Sequence, residues 1–124
     1  MPSPQFTVSV LTQYLPDRSS ANEDVYAFAY TVTIRNSGDV TAQLIARHWV
    51  ITDSAGHVEE VRGLAVVGHQ PLLKPGETFE YTSWARIATP RGRMHGTFFC
   101  ITEDAHWFDT PVAPFELSQA QALH

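Results

Sequence analysis

Residues Val25–Asn36, reading VYAFAYTVTIRN, leave the chain few folds to choose from. Tyr26, Phe28, Tyr30, Val32 and Ile34 share one side of a two-residue period. Ala27, Ala29, Thr31, Thr33 and Arg35 share the other. A helix would scatter those aromatics around its circumference, whereas a strand lines them up on one face. A face that apolar has to be covered by a second layer. The 124 residues are about the size of one domain, residues 1–124, and their 3 Trp, 4 Tyr and 7 Phe are enough to fill one sandwich interior.

The rest of the chain repeats the pattern in shorter pieces. Gln5–Tyr14 alternates Phe6, Val8 and Val10 with Thr7, Ser9 and Leu11. Asn36-Ser37-Gly38-Asp39 has the composition of a short hairpin turn. Gln43–Thr52 is a third strand with Trp49 and Ile51 inward, but Arg47 would share their face and Leu44, Ala46 and Val50 the opposite one. Burial on both faces or a bulge would resolve that conflict. A turn at Asp53-Ser54-Ala55-Gly56 leads to a short strand, His57–Arg62. Later strands are Thr78–Trp84, a run alternating Met94, Phe98 and Cys100 with His95, Thr97, Phe99 and Ile101, and Trp107–Leu117. Gly96 within that run signals a bulge or a close backbone neighbour, and Pro111 and Pro114 mark the last strand as edge or broken. The tail, Ser118–His124, is expected to fray. Seven or eight short strands with turns every 8–12 residues predict an all-β, immunoglobulin-like β-sandwich.

Between the fourth strand and Tyr81 lies RGLAVVGHQPLLKPGETFEY, residues 62–81. Gly63 and Gly68 bracket a small apolar run, so backbone there either approaches something closely or turns at positive φ. Pro75-Gly76 suits the two central positions of a type II turn. The run GLAVVGHQPLLKPGETFEYTS, followed by TPRGRMHGTF and preceded by YAFAYTVTIRN and RHWVITD, resembles the bacterial ApaG family over roughly Phe6 to Leu117. The resemblance implies a fibronectin type III-like sandwich, an association with cobalt resistance and magnesium efflux, and a protein-interaction role. It implies no enzymatic activity.

Charge restricts the partners. A net charge of −5, with Lys74 the only lysine, argues against generic binding to nucleic acid or an anionic membrane. One cysteine, Cys100, permits no intramolecular disulfide. The start, MPSPQFTV, has no basic and apolar leader pattern, and no apolar run reaches 18 residues. These features predict a cytoplasmic protein.

Two function classes remain. One is a non-enzymatic binding module whose partner is another protein, with Leu64, Val66, Val67, Trp84 and Trp107 as contact candidates. The other is a phosphate, nucleotide or divalent-metal binder that uses Gly63, Ala65 and Gly68 with Arg91 and Arg93. Against the second, Ala65 stands where a Gly-x-Gly-x-x-Gly motif, which ApaG-like proteins often carry here, would have its second glycine. Pro71 and Pro75 also exclude the helix that a dinucleotide site needs. The histidines at 48, 57, 69, 95, 106 and 124 show no ligand spacing, so no metal site is predicted. Cys100 lies in an apolar strand with no adjacent base and reads as a packed thiol. No catalytic residues and no cofactor are predicted.

Overall fold

In a computed structural model that describes residues 3–120, the alternating run becomes strand β2 (Tyr26–Asn36). Phe28, Val32 and Ile34 are fully buried, and Tyr26 and Tyr30 nearly so. The other strands are β1 (Phe6–Tyr14), β3 (Ala42–Asp53), β4 (Val58–Leu64), β5 (Leu72–Leu73), β6 (Thr78–Ile87), β7 (Arg91–Thr102) and β8 (Trp107–Ser118). They form two antiparallel sheets. One has the order β1-β2-β6; the other has the order β4-β3-β7-β8, with β5 also pairing β3. This is the predicted β-sandwich, with its core between the two sheets.

Trp49 is the centre of that core. Its ring meets Tyr30, Phe98 and Phe115 edge-on, at centroid distances of 5.7, 5.6 and 5.9 Å. Edge-to-face contacts of this kind add to the stabilisation from area burial alone. Gly96 makes room for the indole. A Cβ there would strike the carbonyl oxygen of His48 and lie 2.8 Å from Trp49 Cε3.

The mixed pattern of the third strand has a bulge as its cause. The register of β3 against β7 shifts between Leu44 and Ala46, so Ile45 is the extra residue. Ala42 and Leu44 therefore point inward before it, and Trp49 and Ile51 after it. The same parity turns Arg47 inward. A second register shift, between Met94 and Gly96 opposite Val112 and Phe115, places Ala113-Pro114 in a bulge of the edge strand β8. Proline is tolerated there because no ladder donor is required.

One turn expectation fails. Residues 36–39 do not close a hairpin, because β2 and β3 belong to different sheets. Asn36, buried at this corner, donates through Nδ2 to the carbonyls of Val40 (2.9 Å) and Leu73 (2.8 Å), and accepts from Gly38 N–H at 3.0 Å. One amide side chain thus satisfies backbone groups that a hairpin ladder would otherwise satisfy. Gly38 is needed because a Cβ would collide with the backbone of Ser3 and Gln5. Pro75-Gly76 forms the predicted turn, with Gly76 at φ 88° and Glu77 N–H donating to Lys74 O. At the C-terminal end Gln119 N–H donates to Pro90 O, while the rest of the predicted fraying tail, 121–124, lies outside the described residues.

The two flanks of the sandwich differ. On one, β1 packs against β8, with Phe6 and Phe108 in T-shaped contact at 5.5 Å. On the other, β6 and β4 are both edge strands and do not pair with each other.

Candidate functional site

Gly63 and Gly68 serve one purpose each. Gly63 belongs to β4 opposite Arg47, and a Cβ on it would lie 2.9 Å from Arg47 Nη1. That guanidinium donates from Nη1 to the carbonyls of Leu64 and Ala65, both at 2.9 Å. Gly68 sits in a two-residue turn closed by Val66 N–H to His69 O (2.8 Å) and His69 N–H to Val66 O (2.9 Å). Its central residues, Val67 and Gly68, have φ of 48° and 80°. Two positive φ values make this a type I′ turn, in which a β-branched residue at the first position is strained. Val67 is more than half exposed, so packing does not compensate that strain.

Several of the backbone amides that a phosphate would need are already committed within the protein. Ala65 N–H is taken by Ile45 O, and the amides of Val66 and His69 close the turn. The arginines assigned beside it are elsewhere. Gly63 pairs with Arg47, whereas Gly92, between Arg91 and Arg93, pairs with Asp53 at the far end of β3. Six residues of strand separate the two places by about 20 Å. Arg91 lies 3.7 Å from Glu116, and with Arg93, Asp53 and Glu116 it lines a shallow recess. Asp53 there already accepts from the amides of Ala55 and His57.

The contact candidates divide into three groups. Val66 is wholly buried and joins the core, a correction to its expected exposure. Trp84 is on the three-stranded sheet, in the outward row Gln13–Ala29–Trp84, on the opposite face of the sandwich from Trp107. Leu64 and Trp107 share one face of the five-stranded sheet, at its opposite edges. Directly paired residues of an antiparallel sheet share a face. Trp107 pairs with Ile101, Ile101 with Gln43 and Gln43 with Leu72, giving one row across the outer face of the five-stranded sheet. The adjacent row runs Asp109, Phe99, Ala46 and Leu64.

The result is a largely apolar face, with Gln43 and Asp109 the polar members of its two rows. Leu64 is 73% exposed, Trp107 65% and Leu72 60%, with partly exposed Phe99 and Ile101 between them. Charged groups border it. His48 meets Glu60 at 2.8 Å, and Glu60 also lies 3.3 Å from Arg62. The His48 and Arg62 hydrogen bonds hold the Glu60 carboxyl below its ordinary range. At another border His106 pairs with Asp104 at 3.0 Å. Leu72, Phe99 and Ile101 were not among the candidates from sequence. Their signal was present: Phe99 and Ile101 alternate with the inward Phe98 and Cys100, and Leu72 precedes the buried Leu73.

The remaining reactive groups are structural. Cys100 is fully buried beside the Thr110 hydroxyl at 3.7 Å, and burial pushes its thiol up to about 11. Among the described residues no three His, Cys, Asp or Glu side chains converge to hold a metal ion; His124 lies outside them. No helix among the described residues is long and apolar enough to cross a membrane.

Comparison with known proteins assigns the chain. The ApaG domain family model matches residues 16–102. Protein ApaG of Ralstonia nicotianae is 59% identical over 120 residues, covering 97% of each chain. Protein ApaG of an Acidovorax species is 59% identical over 119 residues, covering 94% of this chain and 87% of the relative. The crystal structure of a putative ApaA protein from Bordetella pertussis superposes with a TM-score of 0.91 at 52% identity, covering 93% of this chain and 94% of that one. The β-sandwich built on β2 and Trp49, and the sequence that encodes it, belong to the ApaG family.

Proposed function

We propose that this domain is a non-enzymatic protein-interaction module of the cytoplasm, and that it docks a partner polypeptide on the outer face of its five-stranded sheet. The carrying observation is the pair of cross-strand rows that puts Leu64, Leu72 and Trp107, each more than half exposed, on one face with the partly exposed Phe99 and Ile101 between them. A protein of this size rarely leaves large aliphatic and aromatic side chains contiguous in water unless something covers them. Its composition is that of a binding surface: Phe99 and Ile101 on a central strand, an exposed tryptophan and two leucines flanking them, and charged pairs at the rim. The strained, exposed Val67 in the turn that follows β4 supports the same reading, because strain persists at exposed positions where function requires it. The link to cobalt resistance and magnesium efflux that the resemblance implies is then an effect transmitted through the partner.

Capture from native cell extract on immobilised protein tests this. The wild type is compared with Leu64→Ser/Trp107→Ser and with Leu11→Ser, which removes a 77%-exposed leucine from the opposite sheet. The double variant should lose the captured protein while Leu11→Ser keeps it, with both melting like wild type. Equal capture by all three forms would rule out this face.

A further inference from the structure

The open flank of the sandwich exposes the free edge of β4, which among the described residues pairs only with β3. Hydrogen-bonded pairs alternate along an antiparallel ladder. Ala65 N–H donates to Ile45 O and Asp53 N–H to His57 O, so the bonded positions on this side are Glu59, Val61 and Gly63. Val58, Glu60, Arg62 and Leu64 therefore turn their N–H and C=O groups outward, away from β3. A row of that kind is a template for another strand.

The side chains of β4 specify which strand. Its sequence, VEERGL around a central Val61 as Val58-Glu59-Glu60-Val61-Arg62-Gly63-Leu64, exchanges charge about that valine. In an antiparallel copy turned about Val61, Glu60 falls opposite Arg62 and Val58 opposite Leu64. These are the residues whose backbone groups face outward, so one register satisfies both the charges and the ladder. A slip of one residue sets outward groups against inward ones, and a slip of two sets Glu60 against Glu60 or Arg62 against Arg62. The inner face agrees. Glu59 falls opposite the partner's Gly63, and beneath that glycine lies the Arg47 guanidinium of the same copy. Within one chain, among the described residues, neither Glu59 nor Arg47 has an ion-pair partner.

We infer that a second copy of this chain docks on the free edge of β4, antiparallel about a two-fold axis at Val61, joining the two five-stranded sheets into one. The contact is isologous, as in most homodimers. Strand β6 has the same symmetry at the same level of the flank. Val61 pairs with Trp49, whose ring meets Tyr30, and Tyr30 pairs with Ser83. Glu80 precedes Ser83 and Arg86 follows it by equal steps, so the copy meets opposite charge along this edge too. One strand pair is smaller than a standard interface, which makes the dimer a reversible one. The inference does not rest on the partner proposed for the outer face; the dimer leaves that face open on both copies.

Sedimentation equilibrium of the full chain, from micromolar to millimolar concentration, tests it. The wild type should show a reversible monomer–dimer equilibrium. Glu60→Arg and Arg62→Glu each set like charges opposite one another and should weaken the dimer by about tenfold or more. Both residues are largely exposed, so the changes fall outside the core. An equimolar mixture of the two variants restores opposite charge at both pairs, and so does the double variant Glu60→Arg/Arg62→Glu. Both should associate like the wild type, a recovery that a mere folding defect would not give. A wild type that stays monomeric to millimolar concentration would overturn the proposal, whatever else binds there. So would a dimer unchanged in either single variant, or a mixture that associates no better than its components.

Discussion

Arg47 and Gly63 face each other across the β3–β4 ladder, so close that a Cβ on the glycine would lie 2.9 Å from Arg47 Nη1. Arg47 is inward because the bulge at Ile45 sets its parity, and its guanidinium reaches the carbonyls of Leu64 and Ala65 only by passing beneath Gly63. Gly63→Ala should therefore cost about 1–3 kcal/mol through overpacking and the lost hydrogen bonds. In an Arg47→Ala background the same change should cost little. Urea denaturation of the four forms gives the coupling. Equal costs in both backgrounds would mean that the glycine has another purpose.

The Val67–Gly68 turn yields two changes of opposite sign. Val67→Asn replaces a β-branched residue at φ 48° by one that tolerates the left-handed region, forming the Asn-Gly pair that type I′ turns favour. It should raise stability by about 1 kcal/mol. Gly68→Val places a β-branched side chain at φ 80° and should lower it by at least about 1 kcal/mol. Thermal melts decide both, and a lower melting point for Val67→Asn would contradict the strain argument.

Phe28 is fully buried on β2, with Tyr14 at a ring distance of 5.5 Å. Phe28→Ala should cost about 3–5 kcal/mol. Thr31, on the opposite face, shares a hydrogen bond with the Thr82 hydroxyl at 2.8 Å, and Thr31→Ala should stay within about 1 kcal/mol. Urea midpoints of the two variants should separate widely; similar midpoints would undo the assignment of faces.

Burial raises the Cys100 thiol from its ordinary 9 to about 11. At pH 8 its thiolate population should be about 100-fold below that of a free cysteine. Alkylation by iodoacetamide should accordingly follow unfolding rather than thiol ionisation in the native state. The pH dependence has a definite sign. Between pH 9 and 11 the unfolded chain loses this proton while the folded chain keeps it, so stability falls as pH rises. The loss reaches roughly 2–3 kcal/mol by pH 11, and the raised Tyr30 and Tyr81 phenols extend it above pH 10. Guanidinium melts from pH 7 to 11 measure it; a flat profile would show that Cys100 is not held in the folded core.

The sequence by itself determined the strands, the family and the core. The side-chain period of a strand is two, so YAFAYTVTIRN shows its inward face without reference to anything else in the chain. Gly76 and Gly68 were likewise readable as turn residues, since positive φ is a local requirement. Only the tertiary structure decided which surfaces these strands create. Residues 36–39 have hairpin composition, yet Asn36 bonds Leu73, 37 residues away, and passes the chain to the other sheet. The bulge at Ile45 inverts the facing of half of β3, and nothing local in Gln43–Thr52 fixes which residue is extra. Arg91 and Arg93 were grouped with the glycine segment, but pairing register places them at the far end of β3. Trp84 and Trp107, alike as exposed tryptophans, are on opposite faces because β6 and β8 belong to different sheets. The apolar face and the open flank between β4 and β6 arise from cross-strand register and from the two sheets' unpaired edges. Those are relations between distant segments, and a local period cannot encode them.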